Sequence, residues 1–364
     1  MKPKIKNGIS VVYRKRSGMG DYEVNFLLNK SDTVYPFIFN ELSFKILSLC
    51  SGQCTFKEIA ERCSTTSKEV ESLCNILGKK GLLMFETKPK ELSQENSPQI
   101  NFLSTFETTN LSAQRMQKRI EQSHVVVIGL GGIGTWVVKS LVLAGVRRFT
   151  LVDPDRVDGS NLNRQCLYTP EHIGSYKTFI GSEVLRGLNS KCSIVTHQRK
   201  VRNTKGIHLV LEGADLVINC ADEPSTDAVN RIVTSACYPL RIPHILCGGY
   251  DGHLGFIGPT IIPPQSPCWV CYKKSIGALQ RKAGYKHLII SSSDEKGGNI
   301  APISAVVGNI HALEALKVLS GFVKANLTQH VIEVDFLRLQ MHYHQFEKQN
   351  GCKLCSATPK RSKS

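Results

Sequence analysis

Apolar positions change period several times along this chain, and each change marks an element. Residues 125–128 (Val-Val-Val-Ile) form a short apolar β-branched run, the composition of a buried strand, and lead straight into Gly129, Gly131, Gly132 and Gly134. Val137, Val138, Leu141 and Ala144 then recur at helical spacing, which predicts strand, glycine turn and helix in succession. Further strands are expected at 149–152, near Ile194, at 216–220 and at 244–247, with helices near 176–188 and 225–236. Such alternation predicts an α/β fold, a Rossmann-like, mostly parallel sheet covered on both faces, with ligands at the strand ends. A long helix with small and apolar residues is expected at 302–319, ended by Gly321.

The first 87 residues follow a different pattern. Residues 11–13 and 22–28 read as strands around the turn Ser17-Gly18-Met19-Gly20, followed by helices at about 40–50, 56–63 and 67–78. The second and third helices open with capping boxes, Thr55 with Glu58 and Thr66 with Glu69. Val70, Leu73, Cys74 and Leu77 line one face of the third, and a strand at 82–85 closes the unit. This order predicts a small α+β winged-helix domain over 1–87. Residues 88–104 are polar with two prolines and read as a linker, 105–355 as the larger domain, and 356–364 as a disordered tail.

Composition narrows the class. A chain of 364 residues that is 41% apolar has core enough for two domains. Lys and Arg exceed Asp and Glu by 16, which favours an acidic partner. A winged helix invites DNA binding, yet the third helix opens Lys68-Glu69-Val70-Glu71 and offers no base-reading Arg, Asn or Gln before Asn75. Nucleic acid is therefore not the expected partner. Neither a signal peptide nor an apolar run near eighteen residues is evident, so a soluble cytoplasmic protein without membrane contact is expected. Thirteen cysteines then argue against a disulfide framework, and Cys50, Cys74, Cys220 and Cys247 sit in apolar runs.

Two groups of residues carry candidate chemistry. Asp153 lies nineteen residues past Gly134, where a dinucleotide fold places the acid that holds a ribose hydroxyl; the bland reading of the glycines is helix-strand packing alone. Hydride transfer has no need of the run Ser160-Asn161-Leu162-Asn163-Arg164-Gln165 that follows, nor of Lys177 and Asp222. Those residue types suit cations and amides placed around a triphosphate. The second group is Cys268-x-x-Cys271 and Cys352-x-x-Cys355, eighty residues apart, a Cys₄ set for structural zinc with no position left for water. A redox pair or incidental core cysteines are the alternatives.

In this order, the motifs resemble those of the E1-like adenylating superfamily, the group of ThiF, MoeB and the microcin C adenylating enzymes, over residues 105–355. The resemblance implies adenylation with ATP and Mg²⁺. Gly129, Gly131, Gly132 and Gly134 would pack against the nucleotide, Asp153 would hold the ribose, and Asn161, Arg164 and Lys177 would contact phosphates with Asn163 and Gln165 beside them. Asp222 would hold magnesium, and Arg164, Lys177 and Asp222 would be catalytic. Alone, Lys177 would read as a solvated helix-face lysine and Asp222 as a helix N-cap ahead of Pro224. The family's zinc site fits the four cysteines, and the run 309–321 resembles its homodimer helix.

Two departures stand out. The family's Arg-Tyr-x-Arg segment maps to 99–103, which holds no arginine, leaving Arg115 or Arg119 as substitutes. From Tyr272 to Asn309 there is no cysteine to relay an acyl group, and 273–298 reads as a polar loop. The N-terminal domain resembles PqqD-like domains, which bind leader peptides as an added strand against the sheet edge and third helix; a docking or dimerisation module is the alternative. Together these imply adenylation of a carboxylate on a ribosomally made precursor peptide, captured within that peptide. The alternatives are activation of a Gly-Gly-ended sulfur-carrier protein and a non-catalytic binding module.

Overall fold

A computed structural model describes residues 1–16, 20–28, 34–86, 97–108, 110–282 and 298–356. The chain divides into two compact units, Met1–Arg115 and Met116–Ser364.

The first unit contains β1 (Lys2–Ile5), β2 (Ile9–Lys15), β3 (Tyr22–Leu28), β4 (Val34–Phe39), α1 (Glu41–Ser48), α2 (Phe56–Cys63), α3 (Ser67–Lys79), β5 (Leu83–Glu86) and α4 (Ser97–Ser104). β2, β3 and β4 make an antiparallel sheet in that order, and β1 pairs antiparallel with β5. Both expected capping boxes are present, and Val70, Cys74 and Leu77 are buried on the inner face of α3. They join Val24, Phe26, Phe39, Ile46 and Ile59 in one core. Sequence pattern missed β1 and β4 because each carries a proline, Pro3 and Pro36. β4 is an edge strand, where a residue without an N–H is tolerated. Residues 17–19 of the expected turn lie outside the described residues.

The linker reading needs correction. Residues 97–104 are the helix α4, and Asn7 Nδ2 donates to Ser104 Oγ at 2.7 Å while Lys6 Nζ donates to the Glu107 carbonyl at 2.6 Å. The first unit thus extends to Arg115 rather than ending at 87, and α5 (Ala113–Gln122) carries the chain onward.

The second unit alternates β6 (His124–Ile128), α6 (Gly132–Leu143), β7 (Arg148–Val152), α7 (Lys177–Leu188), β8 (Ser193–His197), α8 (Thr204–His208), β9 (Leu216–Asn219), α9 (Thr226–Cys237) and β10 (His244–Leu246). β11 (Gly249–Asp251), β12 (Leu254–Ile257), β13 (Thr260–Ile261), α10 (Trp269–Lys282), α11 (Ala301–Ser320), β14 (His330–Asp335) and β15 (Gln340–Gln345) follow. The main sheet has the order β13-β10-β9-β6-β7-β8, parallel except for β13. This bears out the mostly parallel α/β fold. Strand order reverses at β6, which pairs with β7 on one side and β9 on the other, and such a switch point opens a crevice at the carboxyl ends of the strands. A second, antiparallel sheet, β11-β12-β14-β15, was not foreseen.

Two other readings change. The first part of the expected polar loop is helical, because α10 runs through Ser-Ile-Gly-Ala-Leu-Gln-Arg-Lys to Lys282, a segment rich in good helix formers; 283–297 lie outside the described residues. In addition, α11 is long and apolar enough to cross a membrane by length and composition, contrary to the expectation that no such run exists. Half of that window is buried, as in the core helix of a globular unit. A methyl group built on Gly308 would lie 2.8 Å from Trp136 Cβ and 2.9 Å from the Ile133 carbonyl oxygen, so glycine lets α11 approach α6 closely.

Candidate active site

The ends of β6, β7 and β9 bring the motif residues together. β6 is buried along Val125–Ile128 and gives way at Gly129, whose φ of +90° suits glycine and whose missing side chain leaves room for Cys220 and Ala221. Gly134 is constrained harder, because a Cβ there would stand 2.0 Å from the Gly129 carbonyl oxygen. These two glycines serve the turn and its packing. Gly131 faces open space, and as the α6 N-cap it has no side chain over the helix amides, which leaves an anion-binding helix end at the switch point. Replacing Gly134 by Ala is expected to destabilise the second unit by about 3 kcal/mol through overpacking, read as a fall in the urea midpoint, whereas Gly131→Ala should leave that midpoint in place.

Asp153 sits at the end of β7 and is 4% exposed. Its Oδ2 accepts the Leu130 N–H at 2.6 Å and its Oδ1 accepts the Asp155 N–H at 2.8 Å, so the carboxylate ties the glycine turn to the neighbouring strand end. Burial pushes its pKa up, and Lys177 and the two amides oppose the shift. Asp155, which sequence reasoning passed over, is the more exposed acid of the pair and binds Lys177 Nζ at 2.9 Å. The signal was present in Asp153-Pro154-Asp155, two acids leaving one strand end. Lys177 itself is only 6% exposed at the start of α7, which sets aside the solvated-lysine reading.

The Ser160–Gln165 run folds over the turn. Asn161 Oδ1 accepts the Asp158 N–H at 3.1 Å, so that oxygen caps a short 3₁₀ turn. Arg164 Nη1 donates to the Ser160 carbonyl at 2.7 Å and to Asn163 Oδ1 at 2.9 Å, while its Nε is buried without a partner. Gln165 is buried with Oε1 unpartnered, and Asn163 Nδ2 donates to the Asn299 carbonyl at 3.2 Å. Buried polar atoms of this kind call for a ligand or ordered water. Across the turn, a methyl group on Gly132 would meet Ser304 Oγ at 2.8 Å, Tyr250 OH at 3.1 Å and Arg164 Cδ at 3.5 Å. Tyr250 and Ser304 were invisible to motif reading, since they come from β11 and α11, far along the chain.

Asp222 follows β9 and is exposed, with no hydrogen bond or ion pair among the described residues. It is not a helix cap: Ser225 is the N-cap of α9 and accepts the Ala228 N–H. A carboxylate without a partner at the carboxyl end of a central strand is suited to a hard divalent cation. Neither proposed substitute for the missing arginine is free, since Arg115 Nη1 donates to the Asn110 carbonyl at 3.3 Å and Arg119 Nη1 to the Ser320 carbonyl at 3.2 Å.

The four cysteines form a separate cluster. Cys268 Sγ lies 3.8 Å from Cys271 and 3.6 Å from Cys352, and Cys271 lies 3.3 Å from Cys355. All four sulfurs are within 4.8 Å of one another. Zinc–sulfur bonds of about 2.3 Å in a tetrahedron set sulfurs about 3.8 Å apart, so the set fits structural zinc.

Comparison with known proteins agrees with this geometry. The ThiF family model matches residues 97–355. A sulfur carrier protein adenylyltransferase of Thermus thermophilus is 31% identical over 245 residues, 67% of this chain and 86% of its own length. Among solved structures, E. coli MccB with AMPCPP and MccA has a TM-score of 0.75 at 20% identity, covering 98% of this chain and all of that one. PaaA has a TM-score of 0.71 at 19% identity, covering 94% and 100%. At these identities the solved structures establish the fold, and that likeness extends through the N-terminal unit.

Proposed function

We propose that this chain, which belongs to the ThiF family and is an ATP-dependent adenylyltransferase, activates a carboxylate on a ribosomally synthesised precursor peptide. The observation that carries the peptide reading is the extent of the fold likeness. The relative from Thermus thermophilus matches 67% of the chain, whereas E. coli MccB, solved with MccA, and PaaA match 98% and 94% of it. The domain order also resembles that of the pantocin maturase, which processes adjacent glutamates. In this reading the N-terminal unit binds the leader, and the positive balance of the chain suits Glu or Asp side chains as targets, with a peptide C-terminus as the other choice.

In the reaction a carboxylate oxygen forms a bond to the α-phosphorus and the bond to the β-phosphate bridging oxygen breaks, pyrophosphate leaving with the electron pair. The open helix end at Gly131 and Gly132 receives phosphate oxygens, Lys177 and Arg164 place positive charge beside them, and Asn161, Asn163 and Gln165 fill the surrounding polar wall. Asp155 shares with Asp153 the work of holding the ribose, since Asp153 already spends both oxygens on backbone amides. Asp222 would hold Mg²⁺, which when bound would supply positive charge beside the phosphate oxygens. With no cysteine from Tyr272 to Asn309, a nucleophile of the peptide itself attacks the acyl carbon, the anhydride C–O bond breaks and AMP leaves, giving an amide, ring or imide. The four cysteines bind one zinc, and Val306 and Leu313, exposed seven residues apart on α11, belong to a homodimer face in a cytoplasmic enzyme that uses neither nucleic acid nor membrane.

The second reading, activation of a Gly-Gly-ended sulfur carrier, draws on the 31% identity to the sulfur-carrier enzyme. ATP–pyrophosphate exchange separates the two. Exchange should require peptides encoded beside the gene and should be absent with a carrier protein; exchange with the carrier alone would replace the peptide reading.

A further inference from the structure

We propose that Tyr250 and Ser304, with Arg164 Nε, form the subsite that holds the substrate's carboxyl group against the α-phosphate. This rests on the chain being a carboxylate-adenylating enzyme and not on which carboxylate it takes. Three observations converge at Gly132. Ser304 Oγ and Tyr250 OH would stand 2.8 and 3.1 Å from a methyl group built there, so both hydroxyls flank the same point of the turn. Arg164 Cδ lies 3.5 Å from that point, and the adjoining Nε is a buried donor with no acceptor. Finally, Ser304 Oγ accepts the Asn299 Nδ2 hydrogen at 2.7 Å. The Ser304 hydroxyl hydrogen is left to donate, and neither it nor Tyr250 OH has an acceptor among the described residues.

The chemistry of the two hydroxyls differs from that of the neighbouring cationic groups. Lys177, Arg164 Nη1 and the α6 amides present charge and an open helix end, suited to a polyanionic tail. Tyr250 and Ser304 are neutral hydroxyls on β11 and α11, suited to a carboxylate whose single charge is spread over two oxygens and falls as the mixed anhydride forms. Donors already fixed around the acyl oxygen do not reorganise during the reaction.

The test uses the full chain and two ligands, ATP and 5′-O-(N-acetylsulfamoyl)adenosine, a stable acyl-adenylate analogue with a minimal acyl group. Tyr250→Phe and Ser304→Ala should each weaken the acyl analogue about fivefold, the loss of one hydrogen bond, and leave the ATP dissociation constant within about twofold of wild type. Equal weakening of both ligands, or no weakening of either, overturns the subsite. Wild-type protein that binds ATP but not the analogue also overturns it while leaving the family assignment standing, and wild-type protein that binds neither would strike at the adenylation reading itself. Unchanged ATP affinity in each variant doubles as the check that it has folded.

Discussion

Asp222→Asn is expected to lower peptide-dependent ATP–pyrophosphate exchange by about 10³-fold, the scale of removing a group that stabilises charge on a transferring phosphoryl. The fold should not notice. Asp222 is exposed, makes no hydrogen bond among the described residues and caps no helix, so the unfolding free energy from urea titration should stay within about 0.5 kcal/mol of wild type. That separation of activity from stability is the diagnostic, and Asp153→Asn is the contrast. Asp153 joins Leu130 to Asp155 through two backbone amides in a buried setting, so its replacement should cost both exchange and stability. Near-normal exchange in Asp222→Asn would remove it from the site and leave Asp155, which pairs with Lys177, as the candidate acid.

The second large effect concerns the cysteine cluster. Purified protein should contain one zinc per chain by elemental analysis, and Cys352→Ser should lose the metal and about 4 kcal/mol of stability, a fall in Tm on the order of 10 °C. Cys268, Cys271 and Cys352 pack in the same core as Val126, Val217 and Leu246, from the strands that carry the site. Losing the metal would leave two buried thiols, the partly buried Cys355 and a C-terminal segment without its tether, since Cys352 and Cys355 hold that segment to Cys268 and Cys271. The loss should therefore reach ATP binding as well as Tm, and chelation of wild-type protein should reproduce it. Zinc-free wild-type protein with an unaltered Tm would return the four residues to ordinary core cysteines.

How much was readable in advance depended on whether the information was local. The strand at 125–128, the glycine turn and the helix after it are encoded by contiguous residues, and they appear within a residue or two of where periodicity put them. The same holds for the capping boxes of Thr55 and Thr66, because a cap is a contact three residues long. Paired Cys-x-x-Cys spacing anticipated the sulfur cluster, because the spacing fixes two ligands at each end and only the meeting of the ends is left to the fold. Strands β1 and β4 escaped because their prolines are disqualifying in a central strand and harmless at an edge, and edge position is a property of the sheet.

Residue identities alone therefore determined the α/β class, the glycine turn between strand and helix, and the four sulfurs. Tertiary structure decided what each residue is free to do. It turned Asp153 inward onto backbone amides and left Asp155 outward, used Asn161 Oδ1 for a local turn, buried Lys177, and exposed Asp222 by giving the α9 cap to Ser225. It also set Tyr250 and Ser304, separated from Gly132 by more than a hundred residues, against that glycine. Periodicity records which side of an element faces the core, but a contact between distant elements depends on sheet order and helix approach, which exist only once the chain has packed.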